Sequence, residues 1–322
     1  MTLQNDHLTV TVAAVTPAAE GVIVLDLEAP GGGALPPFTA GSHLEIHLAN
    51  GLIRHYSLCN DPAERQRYRI GVGLAAESRG GSRFIHETIR PGATLKISAP
   101  RNNFPLEESA PSFCFIAGGI GITPIMAMIR RAKALGKPWQ LHYSARNRQR
   151  AAFLDELQAL GPADCHFHFD DEAQGRVIDL DTVLRPVGAA THVYCCGPVA
   201  MMNAVEEKTK SRLPETVHFE WFTPRGEAKG TGGEREFKVI LRRSGKEFTV
   251  PPGETILEVL ESHGIETAYS CREGVCATCE TQVLAGIPDH RDSVLTAKER
   301  AANKSVMICI SRALSDTLEL DL

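Results

Sequence analysis

The 322-residue chain has little excess charge of either sign. Lys and Arg number 34 and Asp and Glu 39, a formal net charge of −5 with an isoelectric point near 6.2. That balance argues against a protein that grips nucleic acid on a basic surface. The first ten residues include Asp6 and His7 and no apolar core, so a secretory signal is not expected and the cytoplasm is the expected location. One uncharged run, Ser109–Ile129, is long enough to cross a bilayer. Gly118, Gly119, Gly121, Thr123 and Pro124 interrupt it, and it reads as strand, glycine turn and helix. An even, closely spaced cysteine set is also lacking. Nine cysteines in a long chain do not describe a secreted disulfide scaffold. No zinc-hydrolase histidine spacing stands out, and neither does a catalytic triad, a CxH…CxxH pair or a 2-His-1-carboxylate set. Hydrolysis and oxygenation by the chain itself are therefore not expected.

The first hundred residues carry short alternating runs at Leu8–Val15, Gly21–Leu27, His43–Leu48, Leu52–Leu58, Tyr68–Gly73 and Thr94–Ile97. Asn50-Gly51 between two of them predicts a hairpin, and the set predicts an antiparallel barrel or sandwich. From Ser112 strands alternate with helices: strands at Phe113–Ala117, Gln140–Ser144, Cys165–Phe169 and Thr191–Cys196, helices through Ile125, Met126, Ile129, Ala132 and Leu135 and over Ala152–Leu160, Val177–Leu184 and Val199–Lys210. That alternation predicts an α/β domain with a parallel sheet. Arg225–Arg235 is a glycine-rich linker. Strands Phe237–Leu241 and Glu247–Val250 and a helix Ile256–His263 follow it. The expected domains are 1–106, 107–224 and 236–322, with the linker at 225–235.

Cys271, Cys276, Cys279 and Cys309 have the spacing C-x4-C-x2-C-x29-C, the plant-type pattern for a [2Fe–2S] cluster. Two thiolates per iron suit the soft ligands that iron takes. Gly274, Ala277 and Thr278 let the loop wrap closely, and Val306–Ile310 reads as a buried strand fixing the fourth cysteine. The alternatives are structural zinc, which ordinarily uses two CxxC knuckles, and buried free thiols.

With these residues in view, the whole chain resembles the phthalate dioxygenase reductase family, which includes vanillate O-demethylase reductases. That resemblance implies a flavin barrel, a nicotinamide domain of the ferredoxin–NADP reductase superfamily and a β-grasp plant-type ferredoxin, in that order. Arg54-His55-Tyr56-Ser57 is similar to the RxYS flavin motif. On a strand, Arg54 and Tyr56 share a face, so a guanidinium can hold a phosphate while a phenol packs on the ring. Ser57 then offers a hydroxyl near flavin N5. Ser78-Arg79-Gly80-Gly81-Ser82 before a helical run Arg83–Ile89 reads as a phosphate cradle. The family uses this element for FMN, which favours FMN over FAD. Gly71, Val72 and Gly73 should lie beside the ring.

Gly119, Gly121, Ile122, Thr123 and Pro124 belong to a GGxGxTP turn joining strand to helix. Its glycines admit a pyrophosphate, Thr123 can cap the helix, and Pro124 suits its first position. Cys196-Gly197-Pro198 resembles the superfamily's CGP element, which implies a Cys196 beside the nicotinamide at hydride transfer. Ser144 and Arg146 should border the adenosine ribose. Asp170 or Asp171 could accept from a 2′-hydroxyl, and Arg146 or Arg148 leaves NADPH open; the resemblance favours NADH. Phe222 occupies the place of a family aromatic that covers the flavin. His166, His168 and His290 read as structural.

A hydride carrier delivers two electrons and a cluster accepts one, so a flavin between them makes the chain coherent. The expected route runs from NADH to FMN to [2Fe–2S] to a Rieske-type oxygenase partner, the last inferred from the resemblance alone. Residues 231–322 hold 15 acidic and 11 basic side chains, which would suit a basic docking patch. The alternatives are a reductase of another acceptor, such as a quinone or ferric substrate, and a redox sensor without turnover. Neither nucleic acid nor membrane is an expected partner.

Overall fold

The computed structural model describes residues 7–75, 80–225 and 234–322. The chain forms two compact units, Met1–Glu220 and Trp221–Leu322.

In the first unit, strands β1 (His7–Ala19), β2 (Val22–Glu28), β3 (His43–His47), β4 (Ile53–Ser57), β5 (Arg67–Gly73) and β6 (Thr94–Ser98) make an antiparallel sheet. Helix α1 (Gly81–Thr88) lies between β5 and β6 in the chain. The strand order is β4-β3-β6-β1-β2-β5, and a bridge between Leu58 and Ile70 joins the two edges into a barrel. Alternate residues fill its interior, among them Val10 and Val12, Leu25 and Leu27, Leu44 and Ile46, and Ile70 and Val72. The hairpin at Asn50-Gly51 is present, with a longer loop than two residues. The Gly51 N–H donates to the Leu48 carbonyl (2.9 Å) and the Leu48 N–H to the Leu52 carbonyl (2.8 Å). Gly51 alone takes positive φ there (81°), the glycine bulge that follows a type I turn.

The same unit continues with β7 (Phe113–Gly118), α2 (Ile122–Ala134), β8 (Trp139–Ala145), α3 (Leu154–Leu160), β9 (Cys165–Phe169), α4 (Leu180–Leu184), β10 (His192–Cys196), α5 (Val199–Lys208) and β11 (Val217–Phe219). Its sheet is parallel, in the order β11-β10-β7-β8-β9. β7 is buried at every position, as a central strand covered on both faces must be. The chain winds one way from β7 to β8 and the other way to β10. The carboxyl ends of β7 and β10 thus flank a topological switch point, where open α/β sheets bind ligands.

The helix after β7 starts earlier than the sequence suggests. Gly119–Gly121 forms a 3-10 turn that runs into α2, whose N-cap is Gly121. Pro124 is therefore the third helical residue, where its missing N–H is still one of the unbonded four. Thr123 does not cap; its hydroxyl donates to the Ile120 carbonyl at 2.9 Å. α3 begins at Leu154, because Phe153 before it is left-handed (φ 63°). α4 begins at Leu180, where the Asp179 carboxylate accepts from the N–H groups of Asp181 and Thr182.

The second unit contains β12 (Phe237–Leu241), β13 (Lys246–Val250), α6 (Ile256–Ser262), β14 (Glu280–Ala285), β15 (Pro288–Asp289), α7 (Ala297–Ala302), β16 (Ser305–Met307), β17 (Arg312–Ala313) and β18 (Thr317–Leu320). Its main sheet runs β13-β12-β18-β14-β16, with β12 and β18 parallel and β15 paired separately to β17. α6 buries Ile256, Leu257, Val259 and Leu260 in this unit's core, and together the elements form a β-grasp. Among the described residues no helix is long and apolar enough to cross a membrane. The expected strand over Val306–Ile310 is shorter: β16 ends at Met307 and Cys309 sits in the turn that follows.

Candidate functional site

On β4, Arg54 and Tyr56 face one side and His55 and Ser57 the other. The Arg54 side chain lies against the start of α1. A Cβ on Gly81 would stand 2.4 Å from Arg54 Nε and 2.7 Å from its Cγ. Gly80, the N-cap of α1, has φ 88°. A helix N-terminus, its dipole and a guanidinium in one place fit a phosphate monoester. The Ser82 hydroxyl accepts from the Ala75 N–H (3.3 Å). Ser78 and Arg79 lie outside the described residues. Burial pushes the Tyr56 phenol up to about 12, so it stays protonated. The His55 ring lies 5.3 Å from that of His43.

β5 brings the barrel against the glycine turn. A Cβ on Gly71 would lie 2.7 Å from Thr123 Cγ2, and one on Gly73 would lie 3.4 Å from the Ile120 side chain. Val72 between them is buried, and its carbonyl faces His86 Nε2 at 2.9 Å. Across the switch point, a Cβ on Gly121 would come 2.2 Å from the Cys196 carbonyl oxygen. A Cβ on Gly197 would lie 3.0 Å from the Gly118 nitrogen, and Pro198 is the N-cap residue of α5. Glycines at 118, 121 and 197 therefore let the two strand ends meet.

Cys196 is fully buried, and burial together with the Glu220 carboxylate holds its thiol well above the ordinary range. Cys195 is buried as well. Ser57 Oγ donates to Glu220 Oε2 at 3.3 Å. Glu220 thus joins the serine of the barrel to the cysteine of the parallel sheet, and the sequence reading missed it. It follows β11, a three-residue strand that was also missed; the only local signal is the apolar–polar alternation of Val217-His218-Phe219-Glu220.

Burial pushes the Glu220 carboxyl up to about 8, against the lowering effect of the Ser57 hydrogen bond. A folded-state value above the unfolded one means that the folded chain holds its proton longer as pH rises. Stability should then fall between about pH 5 and pH 8, by at most about 1.4 kcal/mol per pH unit from this group. Glu220→Gln should flatten that slope. Urea midpoints for both proteins across this range check it, and parallel curves would contradict it.

Ser144 is buried at the end of β8, and Arg146 just beyond is exposed. The Asp170 N–H donates to the Ala145 carbonyl (3.1 Å), which sets its carboxylate beside the same strand end. One Asp170 oxygen is buried without a hydrogen-bond partner. His168 Nε2 lies 3.5 Å from an Asp170 oxygen and 2.8 Å from the Arg176 carbonyl. Phe222 belongs to the second unit and is 39% exposed, while Trp221 beside it is buried with the Arg225 guanidinium 4.4 Å above its ring.

In the second unit the cysteine loop is wound by left-handed Arg272 (φ 58°), Gly274 (66°) and Ala277 (60°). Cys276, Cys279 and Cys309 are buried and Cys271 is partly exposed. The sulfurs lie within hydrogen-bonding reach of one another: Cys271 with Cys276 and Cys309, and Cys279 with Cys309. The N–H of Glu273 points at Cys271 Sγ (3.3 Å) and that of Cys271 at Cys276 Sγ (3.5 Å). Four thiols with amides aimed at them are the donor set of a [2Fe–2S] cluster. Among the described residues no group of three or more His, Cys, Asp or Glu side chains is arranged around a single metal ion. A Cβ on Gly274 would lie 2.7 Å from Ile310 Cγ2 and 2.9 Å from Asp292 Cα, so the loop is pressed onto the segment behind it.

Residues 115–207 match the family described as an oxidoreductase NAD-binding domain, and residues 239–314 the 2Fe-2S iron–sulfur cluster binding domain. With the phosphate-fitting barrel before them, these define an NADH-dependent oxidoreductase that carries a flavin and an iron–sulfur cluster. Phenoxybenzoate dioxygenase subunit beta of Ectopseudomonas oleovorans is 47% identical over 96% of this chain and 95% of its own. Tetrachlorobenzoquinone reductase of Sphingobium chlorophenolicum is 46% identical over the full length of both. The solved structure of phthalate dioxygenase reductase, described as modular for electron transfer from pyridine nucleotides to [2Fe-2S], superposes with a TM-score of 0.73. It is 38% identical and covers 99% of each chain. The chain belongs to the phthalate dioxygenase reductase family. It combines a nicotinamide dinucleotide domain with a [2Fe–2S] domain.

Proposed function

We propose that this protein is the reductase component of a two-component Rieske-type oxygenase and passes electrons from NADH to that partner. The end-to-end match to a reductase built for electron transfer from pyridine nucleotides to [2Fe-2S] carries the reading. A relative named as a dioxygenase subunit supports an oxygenase as acceptor. The net acidic charge of residues 231–322 suits a basic docking patch. We place the chain in the cytoplasm, where cysteines that form no disulfide would stay reduced.

FMN supplies the change from two-electron to one-electron transfer. Arg54 and Gly80–Ser82, with Ser78 and Arg79, would hold its phosphate. His55, Tyr56 and Gly71–Gly73 would line the ring, Phe222 would cover it, and Ser57 would sit at its reacting edge. Gly119, Gly121 and Ile122–Pro124 would receive the dinucleotide pyrophosphate, and Ser144, Arg146 and Asp170 the adenosine ribose. Cys196, Gly197 and Pro198 would shape the nicotinamide site. Cys271, Cys276, Cys279 and Cys309 would ligate the cluster. The proposed division is 1–106 for the flavin, 107–224 for the nicotinamide, a linker at 225–235 and 236–322 for the cluster. The separate barrel and parallel sheet support it; most of the linker lies outside the described residues.

Anaerobic titration of the purified protein with NADH, followed by visible absorption and EPR, tests this reading. Flavin and cluster bands should both bleach and a reduced-cluster EPR signal should appear. A colourless, zinc-containing protein would overturn it, and a cluster left oxidised after flavin reduction would point to a sensor. A second acceptor is favoured by the full-length likeness to a quinone reductase. Halogenated benzoquinone consumption, compared with oxygenase-coupled NADH oxidation, separates the two.

A further inference from the structure

The seam between barrel and parallel sheet holds a charge arrangement that the cofactor sites leave unexplained. Glu156, in the first turn of α3, reaches in two directions. Arg69 Nη1 on β5 donates to both of its carboxylate oxygens, at 3.1 and 3.3 Å. Arg130 Nη2 on α2 donates to Oε2 at 2.7 Å. Arg69 also stands opposite Asp26 of β2, with Nε 3.5 Å from a carboxylate oxygen. The buried Cys59 seals this spot: its N–H and thiol both approach the Arg69 carbonyl, at 2.8 and 3.2 Å.

The two arms of Glu156 end on the two elements that meet at the cofactor sites. Two residues beyond Arg69, Gly71 touches Thr123, and seven residues before Arg130, Thr123 belongs to the dinucleotide turn. α3 adds a second contact at the same place. Phe153, its N-cap, sets its ring within 3.5 Å of where a Gly71 Cβ would be. Phe153 does so at φ 63°, a conformation that bulky side chains rarely take unless the surroundings impose it.

We propose that Glu156 is a positioning residue for hydride transfer, its carboxylate fixing the flavin strand β5 against the nicotinamide turn through Arg69 and Arg130. The inference rests on the reading that NADH reduces a flavin in this unit. Glu156 touches no reacting atom; it acts on the register of Gly71 with Thr123. Small displacements matter at such a junction, since misplacement by about 1 Å can cost about a hundredfold in rate.

Stopped-flow reduction of the flavin in the full-length holoprotein tests it, using Glu156→Gln. The limiting rate should fall about tenfold or more while the NADH dissociation constant stays within about twofold. The primary isotope effect with C4-deuterated NADH should become more temperature-dependent, a readout that general destabilisation would not move. Glu156→Asp, which keeps the charge, should recover part of the rate. Glu20→Gln removes an exposed tie across the same seam, to Arg150 at 2.9 Å, and should leave the rate unchanged. Should Glu156→Gln not fold, Arg130→Lys should show the same division between rate and affinity. An unchanged limiting rate, a loss confined to NADH affinity, or an equal effect of Glu20→Gln would overturn the proposal. If the wild-type flavin is not reduced by NADH at all, the functional reading fails instead.

Discussion

Cys276→Ser should abolish electron delivery to a one-electron protein acceptor and spare flavin reduction by NADH. Cys276 is buried, its sulfur within reach of Cys271 Sγ and facing the Cys271 N–H. A serine there offers a harder oxygen on a shorter bond, a poor partner for iron. Altering groups that merely support a ligand often costs about 10–100-fold, so losing a ligand should cost about a hundredfold or more. The residues proposed for dinucleotide pyrophosphate and flavin phosphate all lie in the other unit. NADH-driven bleaching of the flavin should therefore stay within about twofold of wild type, as removal of an interaction absent from that step requires. Stopped-flow absorbance and reduction of a one-electron protein acceptor measure the two steps separately. Loss of both in a folded protein would show that the division of labour between the units is wrong.

Gly121→Ala should be a strongly damaging small substitution at the turn after β7. Its new methyl would fall 2.2 Å from the Cys196 oxygen, 2.5 Å from the Cys196 carbonyl carbon and 2.8 Å from the Gly197 nitrogen. These are backbone atoms at the end of β10, which pairs in parallel with β7, so no side chain can rotate away. Overpacking of this kind costs about 1–3 kcal/mol. The larger effect should be on catalysis, because relief requires the dinucleotide turn or the Cys196 backbone to shift. A displacement near 1 Å should lower kcat/KM for NADH by about a hundredfold. Flavin content should remain normal, since Arg54 and Gly81 are untouched. Unchanged kinetics with NADH would show that this turn does not carry the dinucleotide.

Contiguity decided what could be read from the sequence. The cysteine spacing, the glycine turn from Gly118 to Pro124 and the strand Arg54–Ser57 are local patterns whose chemistry shows in a few adjacent residues. Glu220 is different. It meets Ser57 across 163 positions of chain, and a lone glutamate after a three-residue strand has no signature. Glu156 is equally silent, since its meaning comes from arginines on two other elements. α7 was legible and overlooked: Thr296 and Glu299 form a capping box, a T-x-x-E signal that marks a helix start. The start of α2 was misplaced for a physical reason. Thr and Pro favour the helix entrance, but the 3-10 turn over Gly119–Gly121 had already brought the chain to helical geometry.

The border between the two units falls between Glu220 and Trp221. It has a practical meaning for anyone exchanging the electron-output module for another. A splice made at the glycine-rich stretch leaves the first unit whole. A splice moved upstream by six residues or more would remove Glu220, the carboxylate that Ser57 bonds, and by nine the whole of β11 as well. Such a chimera could still fold its barrel and most of its sheet while lacking the carboxylate that joins them at Ser57. Shuffled reductases of this architecture should therefore tolerate junctions within 225–235 and lose hydride transfer abruptly when the junction precedes Val217.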